Sequence, residues 1–377
     1  MTVMDRVTPD KLAGSGGSGG PEQLTEQVLV LGRRAGLDAV GVAPADPFLP
    51  TRRVLQERKE EGLHGGMHFT YGDPVRATDP ARSLAGATAL LVGAVSYRRQ
   101  DPEAPPAPAL GQGARYSWND SYAPLREALA AVAGFLDGEG WRATVLVDDN
   151  GLVDREAAYR AGLGWYGKNT NLLMPGRGSW FVLGSVVTDA PLTPSAAPAA
   201  DGCGPCRQCL PACPTGALVG PGVLDARRCL AWLLEAPGSF PPEYRGALGG
   251  RIYGCDDCQT VCPPNRANDL RHPPPPAEPG AEAWVDLVEL LGAGDEELLE
   301  RFGRWYIPRR QPRYLRRNAL IALGNVGDGN HPDVARVLAR YLSGADPMLR
   351  EHASWAVDRL RRRALIEAGA NLPLERR

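Results

Sequence analysis

The sequence lacks the features of a membrane or secreted protein. No run of about eighteen consecutive apolar residues occurs in the 377 residues, although a membrane-spanning helix requires one. The N-terminal segment also lacks the apolar stretch of a secretory signal, and its residues 14–20 have the composition of a flexible linker. These absences predict a cytoplasmic protein without a membrane partner.

The sequence also has little net charge and no common nucleotide-binding motif. Its 42 Lys and Arg residues nearly balance 44 Asp and Glu residues, which gives a formal net charge of −2. No overall field draws the protein toward nucleic acid, so any such contact must come from a local patch. Neither a P-loop nor a G-x-G-x-x-G fingerprint is present, so neither ATP nor a nicotinamide cofactor is indicated.

Cysteine is confined to one segment, and all eight cysteines lie between Cys203 and Cys262. In a reducing cytoplasm such a group indicates metal or redox chemistry rather than disulfides. The first four cysteines follow C-x2-C-x2-C-x3-C-P, the bacterial ferredoxin pattern, in which three thiolates bind one [4Fe–4S] cluster and the fourth binds the other. Zinc is the alternative, but it favours paired C-x2-C motifs and fits this run poorly.

The ferredoxin rule predicts two clusters whose ligands cross between the two halves of the segment. The first cluster is assigned to Cys203, Cys206, Cys209 and Cys262, and the second to Cys213, Cys229, Cys255 and Cys258. No cysteine is left over.

Residues 21–195 alternate between helical and strand patterns, so the predicted fold class is α/β (α+β). Residues 87–97 read as a buried strand, residues 124–136 as an amphipathic helix, and the strand from residue 141 ends in paired acids. Asp148 is therefore predicted at the carboxyl end of a strand, where α/β folds bind ligands. The alternative is that Asp148 caps the next turn.

Three glycines follow the next predicted helix, which begins at Asp154. Gly162, Gly164 and Gly167 lead into Lys168 and Asn169. Such a loop lets the backbone approach a ligand closely. A helix C-cap followed by a turn is an equal alternative.

The C-terminal part is predicted to be helical. The segments L-R-R-N-A-L-I-A-L-G at 315 and L-R-E-H-A-S-W-A-V-D at 349 align at a period of 34, which is typical of a HEAT-like repeat. The resulting domain prediction is a tail over 1–20, a catalytic domain over 21–195, a ferredoxin-like domain over 196–270, a proline-rich linker over 271–280 and a helical domain over 281–377.

A local basic patch lies within this helical part. Seven arginines and no acid occur between Arg301 and Arg317, with Trp305, Tyr306 and Tyr314 among them. Arginines that alternate with aromatic residues suit phosphate binding and base stacking, as in RNA loops. The candidate RNA contacts are Arg309, Arg310, Arg313, Arg316 and Arg317. The alternative is a solvated helix face paired with the acids at 295–300.

Three motifs together resemble the epoxyqueuosine reductase family over about residues 25–365. They are V-D-D-N-G-L-V-D-R-E-A-A-Y-R-A-G-L-G-W-Y-G-K-N, C-G-P-C-R-Q-C-L-P-A-C-P and Y-G-C-D-D-C-Q-T-V-C-P. The resemblance implies a cobalamin-binding domain, a ferredoxin-like insert with two [4Fe–4S] clusters, and a C-terminal repeat that helps to hold tRNA. The implied activity is reduction of epoxyqueuosine to queuosine at the tRNA wobble position.

The resemblance also implies roles for single residues. Asp148 corresponds to the proton donor. The implied cobalamin contacts are Arg76, Asp148, Val153, Asp154, Arg155, Lys168, Asn169, Leu172 and Asp256. The implied partners are a tRNA anticodon stem-loop and an electron donor such as a flavodoxin or ferredoxin system.

One segment departs from the family pattern. The family usually reads W-G-x-D-Y-H where this chain has W-N-D-S-Y-A at 118–123, so Ser121 and Ala123 replace an aspartate and a histidine. This departure bears on the substrate.

The alternatives to an epoxyqueuosine reductase are a small-molecule reductase similar to the reductive dehalogenases and a ferredoxin-type electron carrier.

Overall fold

The structure is a computed structural model that describes residues 20–195 and 197–367, so the predicted tail lies outside it apart from Gly20. The helices are α1 (Pro21–Arg34), α2 (Leu49–Glu60), α3 (Tyr122–Gly138), α4 (Asp154–Arg160), α5 (Cys209–Ala212), α6 (Leu230–Glu235), α7 (Pro242–Leu248), α8 (Asp257–Thr260), α9 (Pro263–Arg271), α10 (Leu287–Gly292), α11 (Asp295–Phe302), α12 (Arg313–Val326), α13 (Pro332–Leu342) and α14 (Pro347–Glu367). The strands are β1 (Ala39–Pro44), β2 (Ala89–Ser96), β3 (Leu110–Gly113), β4 (Ala143–Val147), β5 (Trp165–Tyr166), β6 (Leu172–Leu173), β7 (Phe181–Thr188), β8 (Leu218–Gly220), β9 (Val223–Leu224), β10 (Arg251–Tyr253) and β11 (Trp284–Asp286).

The main sheet has the strand order β1-β2-β7-β4, and every neighbouring pair is antiparallel. Alternate residues of β2 face opposite layers. Leu91 packs with α1 and α3, whereas Leu90 and Val92 pack with α4. Because both faces are covered, β2 reads as a continuous apolar run, as the sequence predicted.

The antiparallel pairing corrects one premise of the sequence analysis. Ligand binding at the carboxyl ends of strands is a rule for open parallel sheets. The described sheet is of the α+β kind, so that rule does not place Asp148 at a ligand site. Its position must be judged from its own surroundings.

A second sheet joins distant parts of the chain. Strand β3 pairs in parallel with β10 and antiparallel with β11. The hydrophobic core beside it combines side chains from both sides of the predicted linker, including Phe240, Leu248, Leu287, Leu320 and Ala356. The cysteine-rich segment and the C-terminal helices therefore share one core, while the domain boundaries stay a prediction.

The C-terminal helices pack as the 34-residue alignment requires. Each aligned pair is buried: Leu315 with Leu349, Ala319 with Ala353, and Ala322 with Ala356. Helices α12 and α14 come so close that a side chain at Gly324 would meet the Ala356 Cα atom at 2.8 Å. Assignment to a HEAT-like repeat remains a prediction. No helix in the described residues is long and apolar enough to cross a membrane.

Arg317 has a structural position that the sequence analysis did not anticipate. Its side chain is 1% exposed. Its guanidinium donates hydrogen bonds of 2.7–3.0 Å to the carbonyls of Leu233, Leu234, Ala236 and Gly238. These carbonyls lie at or just beyond the end of α6, where a helix leaves acceptors unpaired and favours positive charge.

The prediction that Arg317 contacts RNA is therefore wrong, because its guanidinium lies in the protein interior. Burial lowers the pKa of Arg317 to about 10, which still leaves it charged at neutral pH. The residue stabilises the packing of α12 on α6.

We expect Arg317→Ala to lower the free energy of unfolding by about 3 kcal/mol or more, because each buried carbonyl left without a donor costs about 1–3 kcal/mol. Anaerobic urea unfolding followed by far-UV circular dichroism measures the change. Arg336→Ala is the matched control, since Arg336 is 77% exposed and forms only a surface pair with Asp333. Equal losses in the two variants would contradict the structural role.

Candidate functional site

The predicted ligand assignment divides the cysteines into two sets, which we call the outer thiol set (Cys203, Cys206, Cys209 and Cys262) and the inner thiol set (Cys213, Cys229, Cys255 and Cys258). Burial raises the pKa of Cys262 to about 11, and the charges of the other outer cysteines contribute to that shift. Burial likewise raises the pKa of Cys258, followed by the charges of Cys255, Cys229 and Cys213. Charges act on a thiol mainly at short range, so the cysteines that affect Cys262 and Cys258 lie near them. The crossed ligand assignment stays a prediction.

The loop of the outer set is held by backbone bonds and by one lysine. The Cys206 amide donates to the Cys203 carbonyl at 3.0 Å, and the Cys203 amide donates to Asp201 at 2.8 Å. Lys168 Nζ donates to the Cys206 carbonyl at 2.8 Å and to the Gly204 carbonyl. No three His, Cys, Asp or Glu side chains within residues 20–195 and 197–367 are close enough to hold a single metal ion.

Asp148 lies one residue past the end of β4. Its backbone has a φ of 54°, a left-handed conformation that is uncommon outside glycine and that often marks functional sites. The carboxyl can be reached by solvent, yet no described residue donates a hydrogen bond to it. Surrounding protein atoms raise the pKa of Asp148; Arg126 opposes this shift and Asp149 adds to it.

Asp149 is the acid that caps the turn. Its Oδ1 atom accepts a hydrogen bond of 2.6 Å from the Gly151 amide. The structure thus gives Asp149 the capping role that was the alternative for Asp148. Because β4 ends at Val147, the expectation that a continuing strand turns Asp149 to the opposite face does not apply.

Tyrosines and a second acid lie near Asp148 in a region that we call the cavity, and the sequence analysis did not identify them. Burial raises the pKa of Tyr122, followed by the charges of Asp148 and Asp154. Tyr116 Oη donates a hydrogen bond of 3.2 Å to Glu235 Oε1. Burial raises the pKa of Glu235 to about 7, Tyr116 opposes that shift, and Asp148 adds to it.

Glu235 therefore titrates near neutral pH in the same cavity as Asp148. It lies six residues after Cys229 at the end of α6. Nothing in the local pattern L-A-W-L-L-E distinguishes it from an ordinary helical glutamate. The sequence signal that could have identified Glu235 is its position six residues after the predicted cluster ligand Cys229.

Five of the implied cofactor contacts come together beside this cavity. The Val153 amide donates to the Ala77 carbonyl at 2.9 Å, which brings the segment of Arg76 to the start of α4. Burial raises the pKa of Asp154 well above its usual value, with Asp148 adding to the shift and Arg155 opposing it. The side chains of Arg76 and Arg155 are exposed and have no hydrogen-bond or ion-pair partner among the described residues.

The remaining implied contacts lie toward the thiol sets. Asn169 Nδ2 donates to the Cys258 carbonyl at 3.3 Å, and Leu172 is buried in the short β5–β6 hairpin. Asp256 accepts a hydrogen bond of 2.7 Å from the Arg115 amide, and burial raises its pKa to about 6. Burial also raises the pKa of Tyr97, with Asp256 adding to the shift and Arg155 opposing it, so the charges of both groups of residues act on Tyr97.

The glycines after α4 serve the local fold. Gly162 has a φ of 74° and ends α4, with the Leu163 amide bonded to the Ala158 carbonyl at 3.0 Å. A side chain at Gly164 would meet the Leu173 carbonyl oxygen at 2.2 Å, and one at Gly167 would meet the Leu173 side chain at 2.4 Å. The C-cap and turn alternative is therefore the one that the structure supports.

The segment that departs from the family pattern forms the entry to α3. Asp120 Oδ1 accepts hydrogen bonds of 3.0 Å from the amides of Tyr122 and Ala123, and Ser121 Oγ donates to the Tyr116 carbonyl at 3.0 Å. Tyr122 keeps its place in the cavity. Ala123 has no titratable side chain, so the titratable acids near Asp148 belong to other segments of the chain.

The basic patch divides into exposed and internally paired arginines. Arg313 pairs with Asp346 at 2.8 Å, and Arg316 pairs with Asp295. Arg309 and Arg310 are exposed, and both have a φ of 52°; Arg310 also donates a hydrogen bond of 3.2 Å to the Gly303 carbonyl. Tyr306 beside them is 56% exposed. The exposed positive charge of the patch is therefore centred on Arg309 and Arg310.

Two thiol sets beside desolvated carboxyls and phenols are the features of an iron–sulfur protein that can deliver electrons to a reaction site. Residues 202–265 match the family model of the 4Fe-4S double cluster binding domain. This match includes all eight cysteines and sets the zinc alternative aside.

Similarity to characterised proteins extends over nearly the whole chain. The chain is 34% identical to the epoxyqueuosine reductase of Bacillus anthracis over 90% of both chains, and 35% identical to that of Bacillus subtilis strain 168 over 90% of this chain and 88% of the relative. It also superposes on a crystal structure of epoxyqueuosine reductase with an epoxyqueuosine-modified tRNA stem loop, with a TM-score of 0.81, 32% identity and 92% of both chains covered. The chain belongs to the epoxyqueuosine reductase family.

The crossed ligand sets can be tested by pairing substitutions. Cys213→Ala combined with Cys258→Ala should leave about four iron atoms per chain after anaerobic reconstitution, because both ligands serve one cluster of four irons. Cys213→Ala combined with Cys206→Ala should leave almost none, because each substitution disrupts a different cluster. Iron and sulfide analysis measures both variants, and the reverse pattern would show that Cys213 belongs to the outer set.

Proposed function

We propose that the protein reduces epoxyqueuosine to queuosine in tRNA. Opening the epoxide and removing its oxygen as water consumes two electrons and two protons. The observation that carries the proposal is the arrangement of the inner thiol set beside the cavity of Asp148 and Glu235, in a chain that belongs to this family. The two iron–sulfur clusters supply the electrons one at a time.

The polar groups around the cavity fit cobalamin, which carries many amide groups. Arg115 Nε is buried without a hydrogen-bond partner among the described residues. The guanidinium groups of Arg76 and Arg155 form no hydrogen bond or ion pair with any described residue. The carboxyl of Asp154 is desolvated. When bound, cobalamin supplies a reduced cobalt that is more nucleophilic than any side chain.

We assign its binding to Arg76, Val153, Asp154, Arg155 and Asp256, with Asp148 facing the reacting group. The resemblance also assigns Lys168, Asn169 and Leu172 to the cofactor. Lys168 and Asn169 in addition donate hydrogen bonds to the backbone of the cysteine-rich segment.

Asp148 is proposed to donate the proton to the departing oxygen. A general acid must be protonated before it acts, and partial desolvation raises the pKa of Asp148 in that direction. No hydrogen bond from the described residues restrains its carboxyl, so it is free to approach the substrate. Glu235, which titrates near pH 7, is a second carboxyl able to hold a proton in the same cavity.

We expect Asp148→Asn to keep both clusters and lower turnover of an epoxyqueuosine-containing anticodon stem-loop by a factor of about 10² or more, the usual contribution of a positioned general acid. Asp149→Asn is the matched control, because its side-chain oxygen can still accept from the Gly151 amide. Single-turnover assays with added cobalamin and a strong reductant measure both. A fully active Asp148→Asn enzyme would falsify the assignment.

The tRNA surface is proposed to include Arg309, Arg310 and Tyr306. We expect the double variant Arg309→Ala and Arg310→Ala to weaken stem-loop binding and to lower the salt dependence of the association constant by about one unit for each phosphate that the protein no longer binds. Fluorescence anisotropy at several salt concentrations measures this. The same change at Arg33 and Arg34, two adjacent exposed arginines on α1, should leave both quantities unchanged. Equal effects of the two double variants would contradict the proposal that Arg309 and Arg310 bind tRNA.

A further inference from the structure

The loops that carry the two thiol sets differ in their exposure to solvent, although Cys262 of the outer set is itself buried. The inner set lies toward the cavity, since the charge of Glu235 acts on Cys229 and Asp256 lies between two ligands of that set. The outer set is held by a short loop in which the residues between cysteines, Gly204, Pro205, Arg207 and Gln208, are all exposed. An electron carrier in solution can therefore approach the outer set more closely.

Positive charge without an internal partner surrounds the outer set. Arg207 lies between the ligands Cys206 and Cys209, and the Arg266 amide bonds to the carbonyl of the ligand Cys262 at 3.1 Å. Both side chains are exposed, and neither has a hydrogen-bond or ion-pair partner among the described residues. Arg271, at the end of α9, adds a third exposed guanidinium, which donates to the Ala267 carbonyl at 3.1 Å and has no acidic partner among the described residues.

The acids of the same two segments offset only part of this charge. Asp269 is paired with Arg98 at 2.9 Å, whereas Asp201 accepts the amide of Cys203 and keeps its negative charge. The segments 197–212 and 259–272 contain no other Asp or Glu. Arg207, Arg266 and Arg271 therefore outnumber Asp201 on these segments, although the whole chain has a net charge of −2.

One exposed apolar side chain lies beside these arginines. Leu270 is 86% exposed, and it follows Arg266 by four residues, so the two side chains share one face of α9. A large exposed leucine beside these arginines is a small apolar surface with a basic rim. Short-lived electron-transfer complexes use small interfaces of this kind, in which complementary charge sets the rate of encounter.

We propose that Arg207, Arg266, Leu270 and Arg271 form the docking surface for an acidic one-electron carrier protein of the flavodoxin type. In each encounter the reduced flavin loses one electron and the outer cluster gains it, and two encounters provide the two electrons of one reduction. The use of those electrons rests on the proposed function, whereas the docking surface does not. We call these four residues the docking face.

The test uses the holoprotein with both clusters and follows cluster reduction by stopped-flow absorbance. With reduced flavodoxin at low salt, Arg207→Glu combined with Arg266→Glu should slow reduction at least tenfold and weaken its salt dependence, because steering by complementary charge raises association rates by about 10–10³. With photoreduced deazaflavin, a small reductant that needs no docking surface, the rate should stay within about twofold of the wild type. Arg33→Glu combined with Arg34→Glu is the control of equal charge change on α1.

Two further variants keep the test decisive. Leu270→Ser should slow reduction by flavodoxin without altering the salt dependence, because it removes apolar surface and no charge. If the double glutamate variant loses iron, Arg207→Gln combined with Arg266→Gln replaces it. Unchanged reduction by flavodoxin in an iron-replete variant overturns the docking face. A wild-type protein that accepts electrons from both reductants but leaves epoxyqueuosine intact would instead overturn the proposed function.

Discussion

The desolvation of closely spaced thiols is the constraint on which the rest of the structure depends. Burial raises the pKa of Cys262 and Cys258, and the neighbouring cysteines add to each shift. Thiolates at these positions gain most from the cations of an iron–sulfur cluster, and the double cluster domain model covers all eight cysteines. In the predicted assignment Cys213 joins the later cysteines and Cys262 joins the first run, so two clusters would link segments about fifty residues apart in the chain.

Helix α6 connects the inner thiol set to the reaction site. It begins directly after the inner ligand Cys229 and ends at Glu235, whose carboxyl lies in the cavity of Asp148. Arg317 donates hydrogen bonds to the carbonyls at the end of the same helix. The C-terminal helices are thus part of the support for the site, because α12 fixes the end of α6 through Arg317. Without these hydrogen bonds the end of α6, which carries Glu235, would lose its support, and the packing of α12 on α6 would be weaker.

The features that sequence reasoning predicted are those encoded locally. The cysteine spacing predicts the crossed sets, and the apolar runs predict β2, α3 and β4 to within a few residues. The choice between Asp148 and Asp149 as the capping acid depends on where β4 ends and on one left-handed residue, which residue type alone does not determine. Glu235 and Tyr116 meet only because β3 pairs with β10, a pairing between residues about 140 positions apart. For Arg317 a signal was present, since Tyr314, Arg317 and Ile321 share the face of α12 that the apolar period buries.

The same geometry places desolvated carboxyls next to the inner thiol set. Asp256 lies between two of its cysteines, and Glu235 lies close enough to Cys229 for its charge to act on that thiol. Burial raises the pKa of Asp256 to about 6 and that of Glu235 to about 7, because desolvation disfavours the charged form of a carboxyl. Both groups therefore hold a proton more readily than an exposed carboxyl does. The proposed reduction consumes electrons and protons in equal number, and in this fold the groups that can hold protons adjoin the segment that carries the cluster ligands.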